Sequence, residues 1–161
     1  FMVSKQRQTV SLALLVLVAI AAACDKTLPM PDAPAPKLTL KQTGTNTVDL
    51  EISGRYALRA VQARLAYDSA TMRLLKVEAG KEASRLDRVF FSDPKKADGG
   101  CNIGITDTRK VLLPSRGALF RFTFEARGTG QGTVRIEHPL GALGGGERVD
   151  LETANVAVVI K

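Results

Sequence analysis

The amino-acid sequence lacks several side chains on which common kinds of site depend. It has no tryptophan, one histidine and two cysteines in 161 residues, and aromatic residues make up 5% of it. His138, followed by Pro139 at the predicted end of a strand, is the only histidine, so a catalytic triad or a metal cluster would depend on that single imidazole. We therefore predict a binding or assembly domain that is not an enzyme and holds no metal.

The sequence also lacks a cluster of positive charge. Its formal net charge is +7, from 23 basic and 16 acidic residues, but no basic run is longer than the pair Lys95-Lys96. Nucleic-acid binding, which uses a basic stripe with aromatic platforms, is not expected. Asp93, Asp98 and Asp107 could offer oxygen ligands to calcium, but their spacing matches no calcium-binding loop, and we interpret them as solvated turn residues.

No apolar run in the sequence is long enough for a typical membrane span. The longest extends from Val10 to Ala23, broken only by Ser11. As a helix it would measure about 21 Å, whereas a bilayer core is about 30 Å thick. Since Lys5 and Arg7 precede the run and small residues end it, the pattern predicts a secretory signal peptide over residues 1–23.

Ala21-Ala22-Ala23-Cys24 resembles a lipobox, the motif at which a bacterial lipoprotein is cleaved before a lipid-modified cysteine. The resemblance implies diacylglycerol on Cys24, the only cofactor-like group expected. Ala21 stands where a typical lipobox has Leu, so ordinary cleavage at a small-x-small site is the alternative. Either route predicts an exported protein, and lipidation would anchor it to the inner or outer membrane, with the domain in the periplasm or at the cell surface.

Residues 24–36 are predicted to form a linker. Four prolines lie between Leu28 and Pro36, and proline fixes φ and lacks an N–H. In an extended polyproline conformation the segment would reach about 35 to 40 Å. The remaining residues, 37–161, are the right size for one domain with its own core.

Residues 37–161 show the alternation of apolar and polar side chains that is typical of β-strands with one buried face. Glycine, asparagine and aspartate turns separate nine such segments, which predict an all-β antiparallel sandwich. The apolar positions are Leu38 and Leu40; Val48, Leu50 and Ile52; Val61, Ala63, Leu65 and Tyr67; Leu75, Val77 and Ala79; Val89 to Phe91; Cys101, Ile103 and Ile105; Ala118, Phe120, Phe122 and Phe124; Val134 and Ile136; and Val156, Val158 and Ile160.

Two phrases in this region resemble cohesin domains, the nine-stranded jelly-roll sandwiches that bind dockerin modules. One is Val-Gln-Ala-Arg-Leu-Ala-Tyr-Asp, ending at Asp68, followed by a strand that ends at Gly80. The other is the strand from Gly117 to Ala126 followed by the glycine-led segment Gly132 to Ile136. Independently of the family, Asp68 is expected to accept backbone N–H bonds in its turn.

The resemblance implies a partner-binding sheet made by strands 8, 3, 6 and 5. Any solvated strand face carries polar and charged residues, so an ordinary polar surface with no binding role is the competing interpretation. Phe90 is the exception among these positions, because an exposed aromatic side chain would indicate an interface anchor. The outward positions would include Gln62, Arg64, Arg88, Phe90, Asn102, Gly104, Thr106, Arg135 and Glu137.

The sequence departs from cellulosomal scaffolds in having one cohesin-like unit and no calcium repeat of the dockerin type. We therefore expect a membrane-anchored module that captures a protein partner, either dockerin-like or part of a secretion or pilus system. A carbohydrate-binding sandwich and a self-associating envelope subunit are the alternatives. Cys101 alternates with Ile103 and Ile105, which favours the core, although pairing with Cys24 is open if lipidation fails.

Overall fold

The computed structural model describes residues 35–54, 58–96, 98–109 and 112–160. The predicted signal segment, Cys24 and the linker up to residue 34 lie outside these residues. In the part that is described, no helix is long and apolar enough to cross a membrane.

The described residues form eleven strands and two short 3-10 helices, Ala83–Arg85 and Pro94–Lys96. All nine predicted strands are present, and two short ones, β9 and β10, were not predicted. The strands are β1 (Lys37–Gly44), β2 (Thr47–Ser53), β3 (Leu58–Tyr67), β4 (Met72–Ala79), β5 (Arg88–Phe91), β6 (Gly100–Thr106), β7 (Arg116–Ala126), β8 (Gly130–Leu143), β9 (Arg148–Val149), β10 (Glu152–Ala154) and β11 (Val156–Ile160).

The strands form two sheets that pack face to face. One sheet has the order β10-β1-β2-β7-β4, and the other has the order β11-β8-β3-β6-β5 with β9 pairing onto β8. The pairs are antiparallel except that β1 and β10 run parallel. The predicted all-β sandwich is confirmed. Sheet one is used below for the first of these sheets and sheet two for the second.

The core lies between the sheets and is built from the alternate apolar positions of the strands. Phe120 and Phe122 on β7 are buried, and their rings stack at 6.1 Å between centroids. Tyr67 on β3 meets Phe124 edge to face at 5.4 Å, which joins the two sheets. Burial of such a side chain contributes about 1.5 to 3 kcal/mol, so these rings are principal sources of stability.

The alternation prediction is wrong within β4. Leu75 and Ala79 were expected to be buried, but both are exposed, Leu75 by 46%. Val77 is buried as expected, and Met72 and Leu74 fill the core in place of Leu75. The reason is a register irregularity between Leu74 and Lys76 opposite β7. A bulge adds one residue to the strand and so moves every later side chain to the other face.

Strand β8 continues beyond the point where the sequence placed its end. His138 has a positive φ of 50° and is followed by Pro139, and the pairing of β3 with β8 shifts between Gln62 and Arg64 at this point. The two residues therefore form a bulge, after which β8 extends to Leu143. Bulges with a left-handed residue preserve the strand while bending it.

The turn prediction for Asp68 and the core prediction for Cys101 hold. Asp68 accepts the backbone N–H of Ala70 through Oδ1 at 2.9 Å, which stabilises the turn after β3. Cys101 is fully buried, and its sulfur accepts a hydrogen bond from the Ser92 hydroxyl at 3.4 Å. Gly80 is close to sheet one: a Cβ there would lie 2.2 Å from the carbonyl oxygen of Ala118.

Asp107 was interpreted as a solvated turn residue, and this is wrong, because it is buried where β6 ends. It accepts Arg109 Nη2 at 2.7 Å and the Asp87 backbone N–H at 3.3 Å. Asp87 in turn accepts the Thr108 backbone N–H at 2.9 Å. The Arg109 side chain, helped by backbone N–H groups, lowers the pKa of Asp107 to about 2. These bonds tie the start of β5 to the end of β6.

Gln42 links the two sheets at the margin of the sandwich. Its side-chain Nε2 donates to the carbonyl of Val159 at 3.1 Å, and its Oε1 accepts the N–H of the same residue at 3.2 Å. Val159 lies on β11, an edge strand of sheet two. A side chain of β1 thus binds both backbone groups of one edge residue.

Candidate docking face

The outer face of β8, β3, β6 and β5, with the short β9 paired onto β8, is a continuous sheet surface, called the docking face below. Its orientation follows from burial: Val61, Ala63 and Leu65 point into the core, so Gln62 and Arg64 between them point outward. The strand order places these four strands side by side. Sheet two therefore presents an outer surface built from adjacent strands.

The register aligns the outward side chains in rows across the strands. Arg64 lies between Asn102 on β6 and Glu137 on β8. Gln62 lies between Gly104 and Leu140, and Phe90 is opposite Gly104 on the far side. Directly opposite residues of antiparallel strands have Cα atoms about 4.5 to 5.5 Å apart, so each row is a set of direct neighbours.

The structure brings all of the sequence-predicted positions together on this face. Arg88 is opposite Thr106 on β6, and Arg135 is opposite Ala66 on β3, one row beyond Arg64. The prediction of their common surface therefore agrees with the geometry, while a role in binding stays a prediction. The residues are Gln62, Arg64, Arg88, Phe90, Asn102, Gly104, Thr106, Arg135 and Glu137.

Phe90 points outward and is 49% exposed. Its ring lies over Gly104, because a Cβ on that glycine would come within 1.8 Å of the Phe90 Cζ atom. Gly104 is buried as a result. The glycine thus provides a flat seat that holds an aromatic ring against the sheet, where it can contact a partner.

Arg64 and Arg135 share Glu137. Arg64 Nε lies 3.7 Å from one carboxylate oxygen, and Arg135 Nη2 lies 3.6 Å from the other. The Arg64 guanidinium also covers Gly100, where a Cβ would be 2.2 Å from Nη2. All three charged side chains are more than one third exposed, so these pairs contribute little stability and are free to exchange partners.

Sequence reasoning missed the part of the docking face that lies beyond the bulge in β8. Leu140 and Ala142 lie on the part of β8 after the bulge, and Arg148 on β9 is opposite Ala142. The dipeptide His138-Pro139 was interpreted as a strand end, which hid them. The alternation of Leu140 and Ala142 with the buried Gly141 was the available signal.

The outer face of sheet one differs in its charges. Four ion pairs lie on it, and in each a basic side chain meets an acidic one, as in the pair of Asp49 and Arg121 at 2.8 Å. The other pairs are Lys41 with Glu51, Arg73 with Glu125, and Lys76 with Glu78. Among the described residues no three His, Cys, Asp or Glu side chains converge as a metal site.

The arrangement of the two sheets defines the domain as a jelly-roll β-sandwich. Comparison with solved structures identifies this sandwich as the cohesin fold. The resemblance seen in the sequence motifs is therefore confirmed at the level of the fold. No protein-family model matches the sequence, and no curated protein matches it.

Three solved cohesins illustrate the similarity. The sixth cohesin of Acetivibrio cellulolyticus scaffoldin B, solved with a mutant Cel5 dockerin, superposes with a TM-score of 0.68 at 15% identity, over 79% of this chain and 99% of that one. A non-cellulosomal cohesin of Archaeoglobus fulgidus gives 0.63 at 15% identity, over 79% and 91%. The cohesin module of a Clostridium perfringens family 33 glycoside hydrolase gives 0.62 at 12% identity, over 79% and 97%.

Proposed function

We propose that the domain is a protein-binding module that captures its partner on the docking face. The observation that carries the proposal is Phe90, an aromatic ring held half-exposed on Gly104 in the middle of polar strand positions. Buried aromatic anchors surrounded by polar contacts dominate the affinity of protein interfaces. Solved domains of the same fold have been determined in complex with dockerins, which supports a protein as the partner.

The contrast between the two sheets supports this choice of face. Sheet one directs its charged side chains at each other, and such cross-strand pairs satisfy the surface internally. The docking face also holds two ion pairs, at 3.7 and 3.6 Å, but both share the single carboxylate of Glu137, and Arg88 and Arg148 form none with a described residue. A partner could contact the exposed Phe90 and these two arginines without breaking an ion pair.

The second part of the proposal is location. Cys24 carries the acyl chains of a lipoprotein, and the proline-rich segment holds the domain away from the membrane. The support is the lipobox-like sequence before Cys24 and the four prolines between Leu28 and Pro36. Two or three acyl chains give stable anchoring, whereas one chain gives only marginal binding.

Partner capture is tested with the full chain expressed in its own envelope and a photo-crosslinking residue at position 102 or 106. We expect one specific crosslinked protein, lost with Phe90→Ala. Leu75→Ala is the matched control, because Leu75 is 46% exposed on sheet one, close to the 49% of Phe90. Equal loss with both variants, or crosslinking only to copies of the chain, would contradict the proposal; the second result indicates a self-associating subunit.

Anchoring is tested by labelling with an alkyne fatty acid. The wild-type chain should incorporate the label and sediment with membranes, and Cys24→Ser should do neither. A wild-type chain that is exported without label would contradict lipidation. The carbohydrate alternative is tested on a glycan array, where binding that depends on Phe90 and is competed by sugar would replace the protein partner.

A further inference from the structure

The charges on the docking face do not balance. Apart from Arg59, which lies at the register shift between Leu58 and Ala60, alternation along the strands places four arginines and one glutamate on this face, which gives four minus one, or +3. The arginines are Arg64, Arg88, Arg135 and Arg148, and the glutamate is Glu137. Each of the four outer-face ion pairs on sheet one instead joins one base to one acid.

Arg88 and Arg148 are the uncompensated members of this set. Both are exposed, and neither forms an ion pair with any residue that the structure describes. Glu147 and Asp150, which flank β9 in the sequence, lie in the connecting segments outside it. Glu137 is engaged by Arg64 and Arg135, so it does not neutralise the other two.

The two arginines stand at opposite ends of one row. The row crosses β5, β6, β3, β8 and β9. Four spacings of about 4.8 Å separate the ends by roughly 19 Å. The side chains between them are short, so the centre of the row is a shallow trough with a positive charge on each side. In order the row is Arg88, Thr106, Ala60, Ala142 and Arg148.

This geometry limits what can lie in the trough. An α-helix is about 10 to 12 Å wide with its side chains, so one that crosses this row along the strands would have an arginine on each flank and would contact Gln62 in the next row. Carboxylates on both flanks of such a helix would reach Arg88 on one side and Arg148 on the other. Arginine binds carboxylates in a two-pronged geometry that lysine does not reproduce.

From these features we infer that the partner presents an acidic helix, with carboxylates on both flanks, to the docking face. The inference rests on the proposed function and names the class of partner. Glu137 then acts against binding, because it already occupies Arg64 and Arg135 and repels an acidic surface. Its removal should strengthen binding, an outcome that no purely structural role of Glu137 predicts.

The probes are two synthetic amphipathic helical peptides of the same length and apolar sequence, one with Glu and one with Lys at every polar position. Amide shift changes of the isotope-labelled full chain, solubilised in detergent micelles, report where each peptide binds. At about 20 mM salt the Glu peptide should perturb β3, β5, β6 and β8, and about 300 mM salt should weaken it at least threefold.

Charge variants decide the inference. Arg88→Glu and Arg148→Glu should each weaken the Glu peptide about tenfold, and Glu137→Gln should tighten it about two- to fivefold. Arg73→Glu on sheet one is the matched control and should change affinity less than twofold. Equal binding of both peptides, perturbations confined to sheet one, or no gain with Glu137→Gln would overturn the inference.

These outcomes are separate from those of the proposed function. If the natural partner crosslinks to the docking face in a way that depends on Phe90 but presents a neutral or basic surface there, the acidic-helix inference is wrong and the proposed function stands. If the natural partner binds equally well without Phe90, the proposed function of the docking face is wrong.

Discussion

Asp49 on β2 and Arg121 on β7 face each other in register and form a two-pronged ion pair. Arg121 Nε and Nη2 each lie 2.8 Å from a different oxygen of the carboxylate. Asp49 is only 4% exposed, whereas the Arg121 side chain is 52% exposed. The hydrogen bonds to Asp49, followed by its charge, raise the pKa of the arginine. The base therefore shields the carboxylate from water.

Arg121→Ala should be more harmful than its surface position indicates. It leaves a nearly buried carboxylate without its partner, and we expect a loss of about 1 to 3 kcal/mol in the free energy of unfolding. The double variant Asp49→Asn, Arg121→Ala should recover part of the loss. Urea unfolding measures both, with Lys41→Ala as a control for an exposed pair worth about 0 to 1 kcal/mol. Equal losses in the control and in Arg121→Ala would refute the shielding role.

The bonds of Asp107 between the start of β5 and the end of β6 should lose their stabilising effect in acid. The folded pKa of Asp107 is about 2, below the ordinary 3.8. A depressed carboxyl pKa contributes stability that is present above the unfolded value and is lost as pH falls from about 4 through about 2. Asp107→Asn should therefore be less stable than wild type at pH 5, with a difference that narrows towards pH 2.

Arg109→Ala is the matched test of cause. Its side chain is the largest contributor to the low pKa of Asp107. Its removal should move the acid loss of stability to higher pH, as followed by unfolding at a series of pH values. An unchanged acid midpoint would exclude the pair as the origin of the acid sensitivity.

Gly80→Ala should destabilise the domain because a Cβ there would collide with backbone atoms of Ala118. Overpacking of this kind costs about 1 to 3 kcal/mol. Gly128→Ala is the control, since nothing lies within 4 Å of a Cβ there. Thermal unfolding of the two variants should differ by several degrees, and equal melting temperatures would show that the contact relaxes freely.

Gly104→Ala should act on binding more than on stability. The new methyl would displace the ring of Phe90, which is the end of a movable side chain. We expect partner affinity to fall about as far as with Phe90→Ala, with little change in melting temperature. Unchanged crosslinking to the partner would mean that the seat on Gly104 does not position the anchor.

Local patterns were sufficient where strands alternate regularly, as in the buried series from Phe120 to Phe124 on β7. They failed where a strand gains a residue. Leu75 follows the alternation in the sequence, but the bulge in β4 turns it outward. The bulge at His138 hid Arg148 for the same reason. Bulges depend on pairing with a distant strand, which a local pattern does not contain.

The docking face was predictable as a set of polar strand positions, but its charge balance was not. The sequence scatters Arg64, Arg88 and Arg148 over three strands, and only the register places Arg88 and Arg148 at the two ends of one row. Conversely, Asp49 and Arg121 are 72 positions apart in the chain, so neither residue signals the pair. The sequence gives the type of each side chain, but which side chains become neighbours depends on how the strands pair in the sheet.

The Gln42 amide has a consequence for how copies of this protein behave when crowded together. An exposed strand edge invites another strand to add to it, and such additions lead to aggregation. By occupying both backbone groups of Val159, Gln42 blocks one such addition site on β11. A neighbouring chain would have to displace that amide first, so the edge is guarded by a side chain from the opposite layer.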